Sequence, residues 1–265
     1  MVKTIVISGG TDGMGRAMAL ARHERGDDVI TLGSNPAKGA TVPGFKQVDL
    51  GDVEDTLRVI AEIDRPRIDA LLLFANRQAP QRVANRQGLE RTFALYYLSR
   101  YLLGRGLRDR LEEAERPVIV NVAGVGVTKG EIHWDDLQLT RGYGMIKAQL
   151  QAGRCNDLLG VMQSGDKPRY VLYHPGFTRS GDLTPLPTAM RAVIRAVAKL
   201  KAQPIEDAIR PIHDWIDNPP EAPLTAVDRG TILPLSLKTL NPANARRLAA
   251  KTEELLDRAA SEPNG

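Results

Sequence analysis

The chain has 265 residues, of which 42% are hydrophobic and 26% charged, close to ordinary globular composition. Its single cysteine, Cys155, excludes an intramolecular disulfide and points to a reducing, cytoplasmic setting. The net charge of +4 is spread over 36 basic and 32 acidic residues without a basic stripe, which argues against nucleic-acid binding. No apolar run approaches the ~20 residues of a membrane span, and Ile5 to Ile7 is too short for a signal-peptide core, so a soluble protein is expected.

Lys3 to Ser8 is a β-branched run and predicts the first strand. Met14, Ala17, Met18 and Ala21 then recur at helical spacing until Gly26. Asp28 to Leu32 and Phe45 to Leu50 predict the next two strands. Between Asp52 and Asp64, residues Val53, Leu57, Ile60 and Ala61 mark a helix face. The run from Ile68 to Phe74 has the continuous apolar character of a strand buried on both faces. A helix is expected from Gly88 to about Leu107, a strand from Pro117 to Val122, and a helix from Gly142 to about Gln163. Arg169 to Tyr173 predicts a further strand, broken by Pro175-Gly176.

Such alternation predicts an α/β fold in one domain, 1–265: a Rossmann-type, doubly wound parallel sheet with helices on both faces. The segment 183–228 departs from the pattern. Pro185, Pro187, Pro204, Pro211, Pro219, Pro220 and Pro223 interrupt its amphipathic stretches, and it is expected to be an insertion that covers the substrate. Thr231 to Leu237 is a candidate last strand. Asn241 as N-cap, with Pro242 at the first helical position, starts the final helix.

The segment Ser8-Gly9-Gly10-Thr11-Asp12-Gly13-Met14-Gly15 follows the first strand directly and opens the first helix. In that position glycines let the backbone approach a pyrophosphate, and the helix N-terminus offers free N–H groups and a positive dipole end. A dinucleotide is the expected ligand. The second strand ends Leu32-Gly33-Ser34-Asn35, with no acid to repel a 2′-phosphate. Ser34 and Asn35 can donate hydrogen bonds, and Lys38 or Arg16 can supply charge, so NADP(H) is expected in preference to NAD.

From Lys3 to about Ser180 the chain resembles the short-chain dehydrogenase/reductase family in order and spacing. The family's Thr-Gly-x-x-x-Gly-x-Gly motif carries Ser8 in place of threonine. Asp49-Leu50 match the adenine-contacting aspartate after the third strand, and Leu73-Phe74-Ala75-Asn76 stands where an Asn-Asn-Ala-Gly turn follows the fourth. His174-Pro175-Gly176-Phe177-Thr178 match the Pro-Gly segment near the nicotinamide. Trp134-Asp135-Asp136-Leu137 is similar to the retinol-dehydrogenase-like branch. The resemblance implies cofactor contacts from Ser8, Gly9, Thr11, Asp12, Gly13, Met14, Gly15, Asp49, Leu50, Ala75, Asn76, Pro175, Gly176 and Thr178. It also implies a homodimer or homotetramer, with the stripe Phe93, Tyr96, Tyr97 and Tyr101 at the interface.

The catalytic half of the resemblance is degenerate. The family uses a tyrosine, a lysine four residues later, a serine after the fifth strand and an asparagine on the preceding helix. Tyr143-Gly144-Met145-Ile146-Lys147 fits Tyr-x-x-x-Lys. Aligning Trp134-Asp135-Asp136-Leu137 with the retinol-dehydrogenase-like branch instead puts Gln149 and Gly153 in those positions and matches Asn156. Both registers stand at this point. Ala123-Gly124 replaces the serines, and Thr92 stands for the asparagine. The histidines His23, His133, His174 and His213 show no metal-ligand spacing, so no metal is expected.

Two functions are compatible with these residues. One is an NADP(H)-dependent oxidoreductase acting on a small-molecule carbonyl, alcohol, imine or activated alkene, with Tyr143 as proton donor, Lys147 lowering its pKa, and Gln149 as the competing candidate. The other is a dinucleotide-binding protein of the same fold with non-redox chemistry, such as a cyclase, dehydratase or isomerase, or with no catalysis.

Overall fold

The computed structural model describes residues 1–127, 130–176, 178 and 203–261. Among these, eight strands form one sheet in the order β3-β2-β1-β4-β5-β6-β7-β8. The strands are β1 (Thr4–Ser8), β2 (Asp28–Gly33), β3 (Phe45–Gln47), β4 (Ala70–Leu73), β5 (Val118–Val122), β6 (Arg169–His174), β7 (Leu224–Asp228) and β8 (Thr231–Ile232). All neighbours are parallel except β7 and β8. The sequence order reverses between β1 and β4, whose Ser8 and Leu73 are in register. The ends of these two strands therefore diverge into a crevice, the usual ligand position of a doubly wound sheet.

Period-two alternation along the buried strands feeds two cores. Val6, Leu71, Leu73, Ile119, Tyr170 and Leu172 point to one face. That face is covered by α3 (Val53–Glu62), the helix α4 spanning 91–106, α6 (Met145–Gln163) and α8 (Pro242–Ser261). Ile5, Ile7, Leu72, Val120 and Val171 point to the other, under α1 (Gly13–Glu24) and α7 (Ile205–Asp217). Two short helices, α2 (Pro36–Gly39) and α5 (Arg108–Glu112), lie in connections. Among the described residues, no helix is long and apolar enough to cross a membrane.

Caps fix several boundaries. Asn241 Oδ1 accepts from the amides of Ala243 and Asn244 at 2.9 and 3.0 Å, with Pro242 opening α8 as the sequence predicts. Glu90 receives the amides of Thr92 and Phe93 at 2.8 and 2.7 Å, so α4 starts three residues later than the periodicity suggests. Its middle, Ala94–Leu98, is a π turn.

The structure departs from the sequence reading in the second half. Within 183–228, residues 183–202 lie outside the described residues. The remainder is built into the sheet: Ala208, Ile209, Ile212 and Ile216 of α7 are core, and Leu224–Asp228 is the last parallel strand. Pro211 lies inside α7, and prolines border β7 at 219, 220 and 223. They disguised both elements, because proline at a strand edge costs no ladder bond. Only Thr231 and Ile232 of the expected strand Thr231 to Leu237 pair, and they do so antiparallel.

The aromatic stripe also reads differently. Phe93, Tyr96, Tyr97 and Tyr101 are all buried within the chain. The Tyr97 hydroxyl shares a 2.8 Å hydrogen bond with Thr252 of α8, and Tyr101 bonds Glu253. Within the stripe, the C-terminal helix of the same chain covers Tyr97 and Tyr101.

Candidate active site

The crevice between β1 and β4 is lined by the glycine loop. The amides of Gly9 and Gly10 both donate to Leu32 O, at 3.0 and 3.2 Å, which folds the loop back over β2. Gly9 has φ +70°, and a Cβ there would stand 2.7 Å from the Ala75 amide. A Cβ on Gly15 would stand 2.3 Å from Gly9 O. Loop, helix start and the turn after β4 thus approach as closely as backbone allows. Asp12 caps α1 and accepts from the Gly13 amide at 2.8 Å. Ser8 is wholly buried, and its hydroxyl has no hydrogen-bond partner.

Beyond the glycines, Ser34 at the end of β2 opens a depression of ≈ 530 Å³ that it shares with Gln47, Asp49, Asp55 and Arg58. Asp49 accepts from the Gly51 amide at 2.9 Å and pairs with Arg91 at 3.0 Å. Leu50 beside it is buried. Asn35 caps α2 through the Lys38 amide at 3.1 Å. The Lys38 ammonium reaches across the loop to Asp12 at 2.5 Å, and Arg16 lies 3.5 Å from the Thr41 hydroxyl. The rim expected to hold a 2′-phosphate therefore carries Lys38 already paired with an acid.

On the other side of the crevice, Asn76 forms a reciprocal amide pair with Gln149 of α6, with N–O distances of 3.1 and 3.2 Å. One turn further on, a Cβ at Gly153 would meet nothing within 4 Å. Tyr143 precedes Gly144, the N-cap of α6. Its hydroxyl donates to Ala79 O at 2.8 Å. Burial raises its pKa and Glu90 adds to the rise; Thr92 and Arg82 oppose it. Lys147 is not among those influences, and its ammonium bonds Gly142 O at 3.3 Å. Of the two registers, it is Gln149 that meets Asn76, while Tyr143 and Lys147 are each engaged elsewhere.

Thr92 lies in the first turn of α4, buried under the Tyr143 side. Tyr96, one turn on, packs on Ala123 and Ala152. Beneath it lies a buried polar cluster. Arg100 donates to Asn121 Oδ1, Val122 O and Ala75 O, the last two at 3.0 and 2.9 Å. Asn121 Nδ2 donates to Asn156 Oδ1 at 3.1 Å and to the Tyr170 hydroxyl at 2.9 Å. Sequence reading had matched Asn156 but missed Arg100, whose signal is a charge inside an otherwise apolar helical stripe.

At the end of β6, His174 Nδ1 lies 2.8 Å from Asp228 Oδ1. Arg229, hydrogen-bonded to the same carboxylate, is the first cause that holds Asp228 below the usual range, with His174 adding to it. Gly176 has φ +85°. Thr178 bridges to Gln203, whose side-chain amide bonds Pro175 O. Phe177 lies outside the described residues.

No protein-family model matches the chain. Over 194 residues it is 30% identical to a candidate daunorubicin C-13 ketoreductase, DnrU, of Streptomyces sp. (strain C5), covering 67% of each protein. It is 28% identical over 169 residues to human polyprenol dehydrogenase and spans about half of that protein's length, 51%. Among solved structures it superposes on the 3-alpha-hydroxysteroid dehydrogenase of Pseudomonas sp. B-0831, crystallised with NADH. That match has TM-score 0.68 and 18% identity, covering 86% of this chain and 96% of the other. A short-chain dehydrogenase of Shigella flexneri with bound NADP gives TM-score 0.60 at 20% identity, covering 86% and 97%. The chain belongs to the short-chain dehydrogenase/reductase family, whose named relatives here are dehydrogenases and reductases.

Proposed function

We propose that the protein is an NADP(H)-dependent oxidoreductase that reduces a small-molecule carbonyl group or oxidises the corresponding alcohol. The observation that carries this reading is the backbone cradle around Gly9 and Gly15, where a Cβ at either glycine would collide with the main chain of Ala75 or Gly9. Such closeness leaves amides and a helix N-terminus facing the crevice, and it suits a pyrophosphate. The ketoreductase name of the Streptomyces relative favours a carbonyl substrate.

Ser8, Gly9, Thr11, Asp12, Gly13, Met14 and Gly15 would hold the pyrophosphate side; Ser34, Asn35, Asp49 and Leu50 the adenosine; and Ala75, Asn76, Pro175, Gly176 and Thr178 the nicotinamide end. When bound, the reduced dinucleotide supplies a hydride. Gln149 takes the place of the family's tyrosine and orients substrate by hydrogen bonding, because a carboxamide has no proton to give near neutral pH. Gly153 leaves the lysine's place open.

The absence of an acid at Ser34-Asn35 favours the phosphorylated dinucleotide. Calorimetric titration is expected to show tighter binding of NADPH than of NADH, and tighter NADH would overturn the preference. Asp12 competes for Lys38, so Asp12→Asn should strengthen NADPH binding. The gain is up to about fivefold, the scale of a half-exposed ion pair, with little change for NADH. An equal gain for both cofactors would show that Lys38 does not meet the 2′-phosphate. Turnover is tested by NADPH oxidation with phenanthrenequinone and para-nitrobenzaldehyde. Binding without oxidation of any carbonyl would favour non-redox chemistry at the same site.

A further inference from the structure

The loss of Tyr, Lys and Ser from their family positions leaves the site without an evident proton donor, and α4 contains one. Tyr96 lies in the π turn Ala94–Leu98, a local rewinding that often accompanies a functional position. Its side chain packs on Ala123 and Ala152. A phenol therefore stands at the end of β5, where neither Ala123 nor Gly124 has a hydroxyl, and one helical turn from Gln149. Ordinary core packing would account for the ring alone. It does not account for the neighbour four residues on.

Arg100 is wholly buried, with its guanidinium 4.7 Å from the centroid of the Tyr96 ring. Its acceptors are neutral, its Nε has no partner, and no carboxylate pairs with it among the described residues. A buried cation without a counter-ion is strongly unfavourable and marks a site where charge is put to use.

We propose that Tyr96 and Arg100 form the acid–base pair of this enzyme. Tyr96 donates the proton to the substrate oxygen, and Arg100 stabilises the phenolate that remains. Tyr96-x-x-x-Arg100 keeps the spacing and the cation of Tyr-x-x-x-Lys but carries them on α4 instead of α6. The inference rests on the oxidoreductase reading above. As hydride reaches the carbonyl carbon, the C=O π pair moves to oxygen. That oxygen takes the Tyr96 Oη proton, giving the alcohol, and the phenolate is reprotonated by water. Burial pushes the Tyr96 pKa up, opposed by Arg100 and the Gly124 amide, so near neutral pH the residue is a phenol, the form a reductase needs.

Tyr96→Phe keeps the ring and its stacking and removes only the hydroxyl. With phenanthrenequinone or para-nitrobenzaldehyde and NADPH, its kcat is expected to fall by about 10²-fold or more. NADPH affinity and melting temperature should be unchanged, which shows that the fold is intact. In the dinucleotide-free protein, alkaline difference absorbance should lose one ionising tyrosine in Tyr96→Phe. The same ionisation should move to higher pH in Arg100→Gln. Turnover of Tyr96→Phe within about twofold of wild type would overturn the proposal alone and leave Tyr96 as core packing. An ionisation that does not move in Arg100→Gln would overturn the role of the cation. Wild-type protein that binds NADPH but oxidises it with neither carbonyl would remove the oxidoreductase reading and this pair with it.

Discussion

Replacing Gly15 with alanine is expected to abolish dinucleotide binding while leaving a folded protein. The new Cβ would lie 2.3 Å from Gly9 O and 3.0 Å from Gly10 Cα. Both are backbone, and neither can rotate away as a side chain end would. Relief requires the loop and the start of α1 to separate, which carries the first-turn amides away from the pyrophosphate. Losing two charge-assisted hydrogen bonds at about 1.5 kcal/mol each weakens binding by about 100-fold. Calorimetric titration with NADPH measures this, and circular dichroism confirms that the sheet survives. An affinity within a few-fold of wild type would mean that the pyrophosphate does not rest on this loop.

The second large effect concerns pH and stability. Asp157 of α6 is 1% exposed and is pushed up to about 7, chiefly by burial, opposed by the neighbouring Thr239 and by the Gly126 amide, which donates to Oδ2 at 3.2 Å. One of its oxygens has no partner. The folded state therefore holds a proton that an unfolded aspartate, with an ordinary value of 3.8, has already released. Between these two values the folded chain binds more protons, so its stability falls as pH rises from about 4 to about 7. The full span is worth about 4 kcal/mol at most, or about 10 °C in melting temperature for a chain of this size. Asp157→Asn stays neutral, so it should melt higher than wild type at about pH 8, by a smaller margin at about pH 5, and similarly only below about pH 4.

His213 works in the opposite direction and must be separated from this effect. It is brought down to about 4, first by burial and then by Arg25 and Arg22. The stability gained from holding it neutral is present above its ordinary value of 6.5 and is lost as pH falls toward 4. The two profiles partly cancel in wild type, so the comparison with Asp157→Asn is the informative one. A variant no more stable than wild type at about pH 8 would show that Asp157 is solvated or paired when ionised.

The proposed cofactor side is readable in the sequence because its requirements are local. A strand, a close backbone turn and a helix N-terminus must follow one another, and Ser8 to Gly15 can be read as that series without knowing the rest of the fold. The proposed catalytic side draws on α4, β5 and α6, which only packing brings together. Tyr143 and Lys147 matched a pattern with two fixed positions. The pattern did not show that Gly144 caps α6 after Tyr143, which leaves Tyr143 outside the helix that carries Lys147. Tyr96 looked like one more aromatic in a core stripe, and it is distinguished only by the π turn and by Arg100 beside it. β7 escaped because Pro219, Pro220 and Pro223 obscure a strand of five residues. Its place in the sheet depends on β6, 50 residues earlier in the chain: His174 lies opposite Asp228 only once the two strands pair.

Under the proposed function, this member of the short-chain dehydrogenase/reductase family performs carbonyl chemistry without the Tyr143–Lys147 pair. That reading is tested most directly by comparing wild type and Tyr143→Phe in NADPH oxidation with phenanthrenequinone. Comparable turnover by both is the expected result, because the Tyr143 hydroxyl is spent on Ala79 O and Lys147 on Gly142 O. An active wild type beside an inactive Tyr143→Phe would contradict it, and would return the proton to the tyrosine that precedes α6.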